Sequence, residues 1–398
     1  MSNLQIGLLT AAVSLLVSFI FYPWVLKFAR LHNIVDNPNA RKLQRRPVPV
    51  MGGVVVYFGI LAGGLVLSCF HWNLVLVYGL IGMTVMLCLG VWDDLCDISP
   101  LLRLIIEIAL VGGYMAFTGI YIDHFHGLWG INELDPIFAI PFSIFVGVGV
   151  INATNLIDGV DGYCSGYGML ACACFGLAFF NVWSTVMVCM SMIVIGAILP
   201  FFMHNVFGYR TKMFFGDGGT LMLGMMMVVF IFYALSSQTE FDAFDEMGIS
   251  LTAFVLAVGC IPVFDTLRVM IIRILRGKSP FHPDRTHLHH LFIDMDFSHL
   301  AASLSILIMN GIIVCIWLLS WYLGASVSLQ TDIVIVLGIL STFVFYRFMR
   351  IQQSGGVLDE EGYPTGSRLW HRICAFGLWT HRDKKRSWRV TRYYIDKY

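Results

Sequence analysis

Apolar positions in this chain neither alternate nor recur on one helical face. They run in blocks of about 20 residues, the length needed to cross roughly 30 Å of hydrocarbon. The blocks predict membrane-spanning helices at roughly 4–26, 50–71, 74–92, 101–120, 137–153, 166–183, 184–203, 218–236, 249–272, 299–320 and 331–348. The fold class this predicts is an all-α polytopic membrane protein with about 11 transmembrane helices. Short loops separate the blocks, and their character alternates. One set holds every Lys and Arg. The other holds none and carries Asp123, Glu133, Asp135, Glu240, Asp242, Asp245 and Glu246.

That asymmetry orients the chain, because basic loops stay in the cytoplasm. The first loop contains Lys27, Arg30, Arg41, Lys42, Arg45 and Arg46, so the N-terminus is expected outside and the C-terminus inside. Composition agrees: 58% of residues are hydrophobic and 13% charged, too apolar for an ordinary soluble domain. The first block lacks a basic leader and a small-residue cleavage site, so it reads as a span and not a cleaved signal. No internal repeat or low-complexity tract is evident. Residues 1–348 read as one transmembrane catalytic unit, and 349–398 as a basic, aromatic cytoplasmic tail. Most of the ten cysteines lie inside spans and none forms a C-x-x-C pair, so they read as packing residues.

Four polar clusters adjoin the basic side. Asp93-Asp94 ends the third span; adjacent carboxylates repel unless a cation intervenes, and oxygen ligands suit Mg²⁺. A solvated loop with helix-capping acids is the plain alternative. The run Asn152-Ala-Thr-Asn155-Leu-Ile-Asp158-Gly-Val-Asp161-Gly162 is dense in hydrogen-bonding groups and in glycines that permit tight turns. It lacks the spacing of a Ca²⁺ loop. Phe214-Phe215-Gly216-Asp217-Gly218-Gly219-Thr220 opens the eighth span, where Asp217 serves either as a helix cap or as a metal ligand beside phosphate-binding amides. His282-Pro-Asp-Arg285-Thr-His287-Leu-His289-His290 mixes imidazoles with a guanidinium. No H-E-x-x-H accompanies it, so phosphate recognition explains it better than zinc. Divalent-metal ligands and phosphate-gripping groups on one membrane face meet the needs of phosphoryl transfer between a soluble nucleotide and a lipid phosphate.

These motifs resemble those of the polyprenyl-phosphate N-acetylhexosamine-1-phosphate transferases, glycosyltransferase family 4. The family's DD pair matches Asp93-Asp94, its N-x-x-N-L-x-D-G-x-D-G loop matches 152–162, and its F-x-G-D-x-G segment matches 214–219. Its Lys–Pro–Gly-Gly element is read in Lys42, Pro47 and Gly52-Gly53. The resemblance covers about residues 1–348. The H-x-H-H of 287–290 is similar to the WecA and TagO branch, not to the MraY branch, which usually has ten spans.

The resemblance implies transfer of N-acetylglucosamine-1-phosphate from UDP-N-acetylglucosamine to undecaprenyl phosphate in the bacterial cytoplasmic membrane, with UMP as by-product. It implies catalytic Asp93, Asp94, Asp158 and Asp161, and Mg²⁺ on Asp94 and Asp217, with Mn²⁺ able to substitute. It implies substrate contacts from Lys42, Asn152, Asn155, Phe214, Arg285, His287, His289 and His290, and Asp265, an acid in the cytoplasmic half of the ninth span, is a further substrate-contact candidate. Asp265 has a second explanation in an i,i+3 pair with Arg268, and Glu107 in a pair with Arg103. The tail's 382–397 stretch, with seven basic residues, suits anionic lipid headgroups and not nucleic acid. A homodimer is compatible with all of this. The rivals are another UDP-sugar, the MraY reaction, or a secondary transporter. Transporter sites lie at the bilayer midplane, not at its rim.

Overall fold

A computed structural model describes residues 2–36, 47–239, 241–280 and 285–354. Lys42, His282 and the tail from 355 onward lie outside the described residues. In chain order the helices are α1 (Asn3–Leu31), α2 (Gly52–Ser68), α3 (Leu74–Cys96), α4 (Pro100–Thr118), α5 (Pro136–Leu156), α6 (Tyr163–Asn181), α7 (Thr185–Phe207) and α8 (Gly216–Ala234). They continue with α9 (Asp242–Glu246), α10 (Leu251–Val258), α11 (Cys260–Leu275), α12 (Leu288–Asp294), α13 (His299–Tyr322), α14 (Val327–Ile339) and α15 (Phe345–Ser354). A π turn at Leu340–Val344 joins the last two. Two small hairpins complete the list. One pairs β1 (Val35–Asp36) with β2 (Val48–Pro49), and the other pairs β3 (His124–Leu128) with β4 (Ile131–Glu133), both antiparallel.

Nine helices among the described residues are long and apolar enough to cross a membrane, counting α14 through Arg350 as one. The bent pair α10–α11 makes a tenth, and the 17-residue α2 accounts for the remaining expected span. The α10–α11 bend is 72° and falls at Gly259, not at Pro262 as the proline alone suggests. Pro262 sits in the first turn of α11, where a missing N–H costs nothing.

Helix α8 is apolar on every side, as a helix enclosed by others must be. Nearly all of Gly216–Phe232 is buried, including Met225, Met226 and Met227. Its neighbours are α3, α5 and α2. Helix α1 packs on α7 and α2 along a stripe of Thr10, Ser14 and Ser18, all buried. Ser14 Oγ donates to the Ile193 carbonyl (2.8 Å). Small polar residues of this kind let helix backbones approach and hydrogen-bond where water is absent. Leu8, Leu16, Phe19 and Trp24 of α1 stay exposed, the surface a lipid would cover.

Candidate active site

The first polar cluster is built where α3 meets the start of α8. Gly90 makes the approach feasible: a Cβ there would lie 2.3 Å from the Asp217 carbonyl carbon and the Gly218 nitrogen. The close packing brings Asp94 to the α8 N-terminus, where its two oxygens accept from the amides of Asp217 (3.2 Å) and Gly218 (3.4 Å). Free amides at a helix start favour such an anion. On the other side, residues 49–53 clamp the 214–215 strand-like segment. Phe214 N donates to the Pro49 carbonyl (2.8 Å), and Gly52 N to the Phe214 carbonyl (2.9 Å).

Asp93 is held by a different set of groups. Its Oδ1 accepts from the Ile98 amide (3.0 Å) and its Oδ2 from Arg103 (3.2 Å). Arg103, from the first turn of α4, is the hub of this region. It donates also to Glu107 Oε1 (3.2 Å), Asn152 Oδ1 (2.9 Å) and Asn155 Oδ1 (3.3 Å). Sequence reasoning assigned it only to Glu107, a pairing the structure contains. Asn152 and Asn155 were expected in a loop. They occupy the last turn of α5, which runs to Leu156, three residues beyond the expected end of that span. Three residues apart, they share a helix face. Asn155 Nδ2 completes the chain by donating to Asp217 Oδ1 and Thr220 Oγ1, both at 2.8 Å.

A cavity of about 860 Å³ opens beside these groups. Asp93, Asp94, Asp158, Asp161 and Asp217 line it, with Phe214, Arg285, His290 and His299. Four sequence-distant segments thus reach one space. Crowding by the surrounding protein raises the Asp158 carboxyl well above the usual range, and the charges of Asp217, Asp161 and Asp94 push the same way. Its surface is nonetheless open to the cavity, so the repulsion among the acids is the part that a bound cation would relieve. Asp161 differs. Burial works against its charge, but hydrogen bonds and charges from His299 and Lys212 hold the carboxyl below its ordinary value. Lys212 Nζ is 2.5 Å and His299 Nδ1 2.8 Å from Asp161 Oδ2. Neither partner was singled out from sequence, because each is an unremarkable basic residue near a span end.

The histidine loop divides. Arg285 and His290 face the cavity. His287 and His289, expected to contact substrate, are buried behind its wall. The two rings stack, 5.7 Å between centroids, and a Cβ on Gly159 would lie 2.0 Å from His289 Nε2. His289 therefore packs on the loop that carries Asp158. Burial, then the neighbouring histidines, hold His289 well below its ordinary pKa. Burial and the Arg285 charge push His290 down to about 4. Its ring is therefore favoured uncharged near neutral pH.

Asp265 also stands behind the wall, and the pairing alternative describes its position. Its oxygens meet Arg268 Nη2 (2.6 Å) and His287 Nδ1 (3.0 Å), and it accepts from the Leu288 amide. Arg268 is only 1% exposed, stacks on Tyr346 (3.8 Å) and donates to the Thr286 carbonyl (2.6 Å). This network fixes the histidine loop to α11. Asn152, Asn155, Asp265, His287 and His289 are positioned to hold the lining groups and do not line the cavity themselves.

The donor set suits Mg²⁺. Carboxylate oxygens of Asp94 and Asp217 lie where acids outnumber cations, and a hard ion that keeps several waters needs only one or two such ligands.

The chain is similar to known proteins over most of its length. The family model of glycosyl transferase family 4 matches residues 76–235, the segment that runs from α3 to the end of α8. The chain is 29% identical over 353 residues to the undecaprenyl-phosphate alpha-N-acetylglucosaminyl 1-phosphate transferase of Escherichia coli (strain K12), covering 85% of this chain and 91% of that protein. It is 30% identical to the decaprenyl-phosphate N-acetylglucosaminephosphotransferase of Mycolicibacterium smegmatis, covering 77% and 79%. It is 27% identical to the probable undecaprenyl-phosphate N-acetylglucosaminyl 1-phosphate transferase of Bacillus subtilis, covering 91% and 95%. The chain belongs to glycosyl transferase family 4, as a multi-span membrane protein of that family.

Proposed function

We propose that this chain transfers N-acetylglucosamine-1-phosphate from UDP-N-acetylglucosamine to undecaprenyl phosphate, giving the lipid diphosphate-linked sugar and UMP. The observation that carries the reading is the shared cavity: Asp94, Asp158 and Asp217, from the end of α3, the loop after α5 and the start of α8, line one space with Arg285 and His290. The relatives' names share the sugar and differ in the polyprenyl chain, which supports N-acetylglucosamine as the donor sugar. We place the cavity at the cytoplasmic face of the bacterial inner membrane, because the loops around it carry the basic residues. The product would prime a cell-surface polysaccharide.

In this reading an oxygen of the lipid phosphate attacks the β-phosphorus of the donor. The bond from that phosphorus to the bridging oxygen breaks, and UMP leaves with the electron pair. Catalysis then rests on positioning and charge neutralisation. Asp94 and Asp217 would hold Mg²⁺, or Mn²⁺ in its place. When bound, the ion would offset negative charge on the diphosphate. Arg285 donates to the diphosphate, and the neutral His290 hydrogen-bonds beside it. Phe214 offers a ring for the uracil. Asp158 orients donor hydroxyls or the acceptor. Asp161 is held by Lys212 and His299, so its part is to fix the loop. Both oxygens of Asp93 are engaged by Ile98 and Arg103. That favours an orienting role over a covalent aspartyl intermediate. Leu95 lines the cavity and is exposed beside exposed Trp92, an apolar lip suited to the acceptor's chain.

The test is UMP release by purified protein with Mg²⁺, undecaprenyl phosphate and a panel of UDP-sugars. Release only with UDP-N-acetylglucosamine and acceptor together supports the proposal. Faster turnover of another UDP-sugar would overturn the donor assignment, and phospho-sugar trapped on protein without acceptor would overturn single displacement.

A further inference from the structure

At the opposite ends of the helices from the cavity, the β3–β4 hairpin and α9 bring three metal-competent side chains together. His124 and His126 come from β3, and Asp245 comes from α9, 119 residues after His126. One candidate ligand atom from each lies within 4.8 Å of the other two. His126 Nδ1 stands 2.8 Å and 2.9 Å from the two Asp245 oxygens. The two imidazoles meet edge to face, 4.2 Å between centroids. His126 stands in the left-handed region (φ 52°), an irregularity within β3 that turns its ring to Asp245 of α9, beside the ring of His124.

We propose that His124, His126 and Asp245 bind a divalent transition ion, Zn²⁺ first among them, which staples the hairpin to the loop that carries α9.

The donor set sorts ions. Two imidazoles and one carboxylate suit Zn²⁺, whereas the oxygen-only acids of the catalytic cavity suit Mg²⁺. Three protein ligands leave a fourth position for water, and the Asp245 side chain is 36% exposed, so water reaches it. A plain His126–Asp245 hydrogen bond is the simpler account, but it leaves His124 without a purpose. Nδ1 of His124 is buried with no hydrogen-bond partner, a cost that metal ligation would remove. Nε2 of His126 is likewise buried without a hydrogen-bond partner. The hairpin is already tied to α14, where Trp129 N donates to Ser328 Oγ (2.8 Å). Asp123 beside it accepts from Ser237 N and Oγ, both 2.7 Å. The ion would bring His124 into the existing His126–Asp245 tie to α9.

The test uses full-length protein carrying a tag without histidine, in detergent with saturating Mg²⁺. Bound zinc is counted by elemental mass spectrometry at buffered free Zn²⁺, for the wild type and for His124→Gln, Asp245→Asn and His290→Gln. The proposal expects one zinc per chain in the wild type and in His290→Gln, and affinity reduced more than about tenfold in the other two. Asp245 is half-exposed, so Asp245→Asn should fold if His124→Gln does not. Co²⁺ added to wild-type protein should give the intense visible absorption of a low-coordinate nitrogen site. No stoichiometric zinc, zinc retained by Asp245→Asn, zinc lost in His290→Gln, or only the weak octahedral Co²⁺ spectrum would each overturn it.

Discussion

Arg103 and Asn152 are 49 residues apart in sequence and 2.9 Å apart in the fold. Through that contact α4 and α5 share one guanidinium, which also holds Asp93 and Glu107. Arg103→Ala removes four hydrogen bonds and leaves Glu107, whose side chain is 1% exposed, without its cation. Transfer should fall by about 10²-fold or more, as when a preorganised charge partner is lost. Arg103→Lys keeps the charge without the fork and should recover only a small part. Turnover and melting temperature, measured together, separate the two effects; wild-type turnover in Arg103→Ala would exclude the residue from the active arrangement.

The Asp161–Lys212 pair gives a pH dependence with a definite sign. The folded-state pKa of Asp161 is depressed, so its stabilisation is present above the unfolded value, about 4, and lost as pH falls through the folded one. Lys212→Met should cost about 1 kcal/mol at neutral pH, because the pair is only partly buried. It should also flatten the acid decline of the melting temperature below about pH 4. An unchanged acid limb would show that His299 alone holds Asp161.

Gly159 and His289 occupy space that cannot hold one more methyl group. Gly159→Ala should impair transfer by more than about tenfold, through displacement of the Asp158 loop. His289→Ala in the same chain should restore part of the loss, with a coupling of about 1–3 kcal/mol in a double-mutant cycle. Simple additivity would contradict the packing role.

His290 is pushed down to about 4 in the fold, against about 6.5 when unfolded. Its stabilisation is complete above about pH 6.5 and declines towards pH 4, as the unfolded chain takes up the proton first. His290→Gln should reduce the slope of melting temperature across that window. If the slope is unchanged, His290 titrates normally and carries charge near pH 6.

Spans were legible because hydrocarbon demands unbroken apolar length, and each of the eleven expected blocks coincides with a helix, a bent pair or the shorter α2. The carboxylates Asp94, Asp158 and Asp217 were legible because acids beside apolar helices are costly and need a reason. That His287, His289 and Asp265 brace the cavity from behind was not legible, since a side chain that lines a cavity and one behind its wall have the same local sequence. Lys212 and His299 were missed, and Arg103 was read only as the partner of Glu107, because the other partners are distant in sequence and a lone basic residue at a span end satisfies the charge rule without further explanation. The His124–His126–Asp245 group could not be read at all: its halves lie in separate loops.

The central claim is that one cavity, lined by Asp94, Asp158 and Asp217, receives the nucleotide-sugar. A cryo-electron microscopy map of the protein with Mg²⁺ and UDP-N-acetylglucosamine tests it most directly. The account predicts diphosphate density between those carboxylates and Arg285, with the uracil near Phe214. Nucleotide density bound elsewhere, with this cavity holding only solvent, would contradict it.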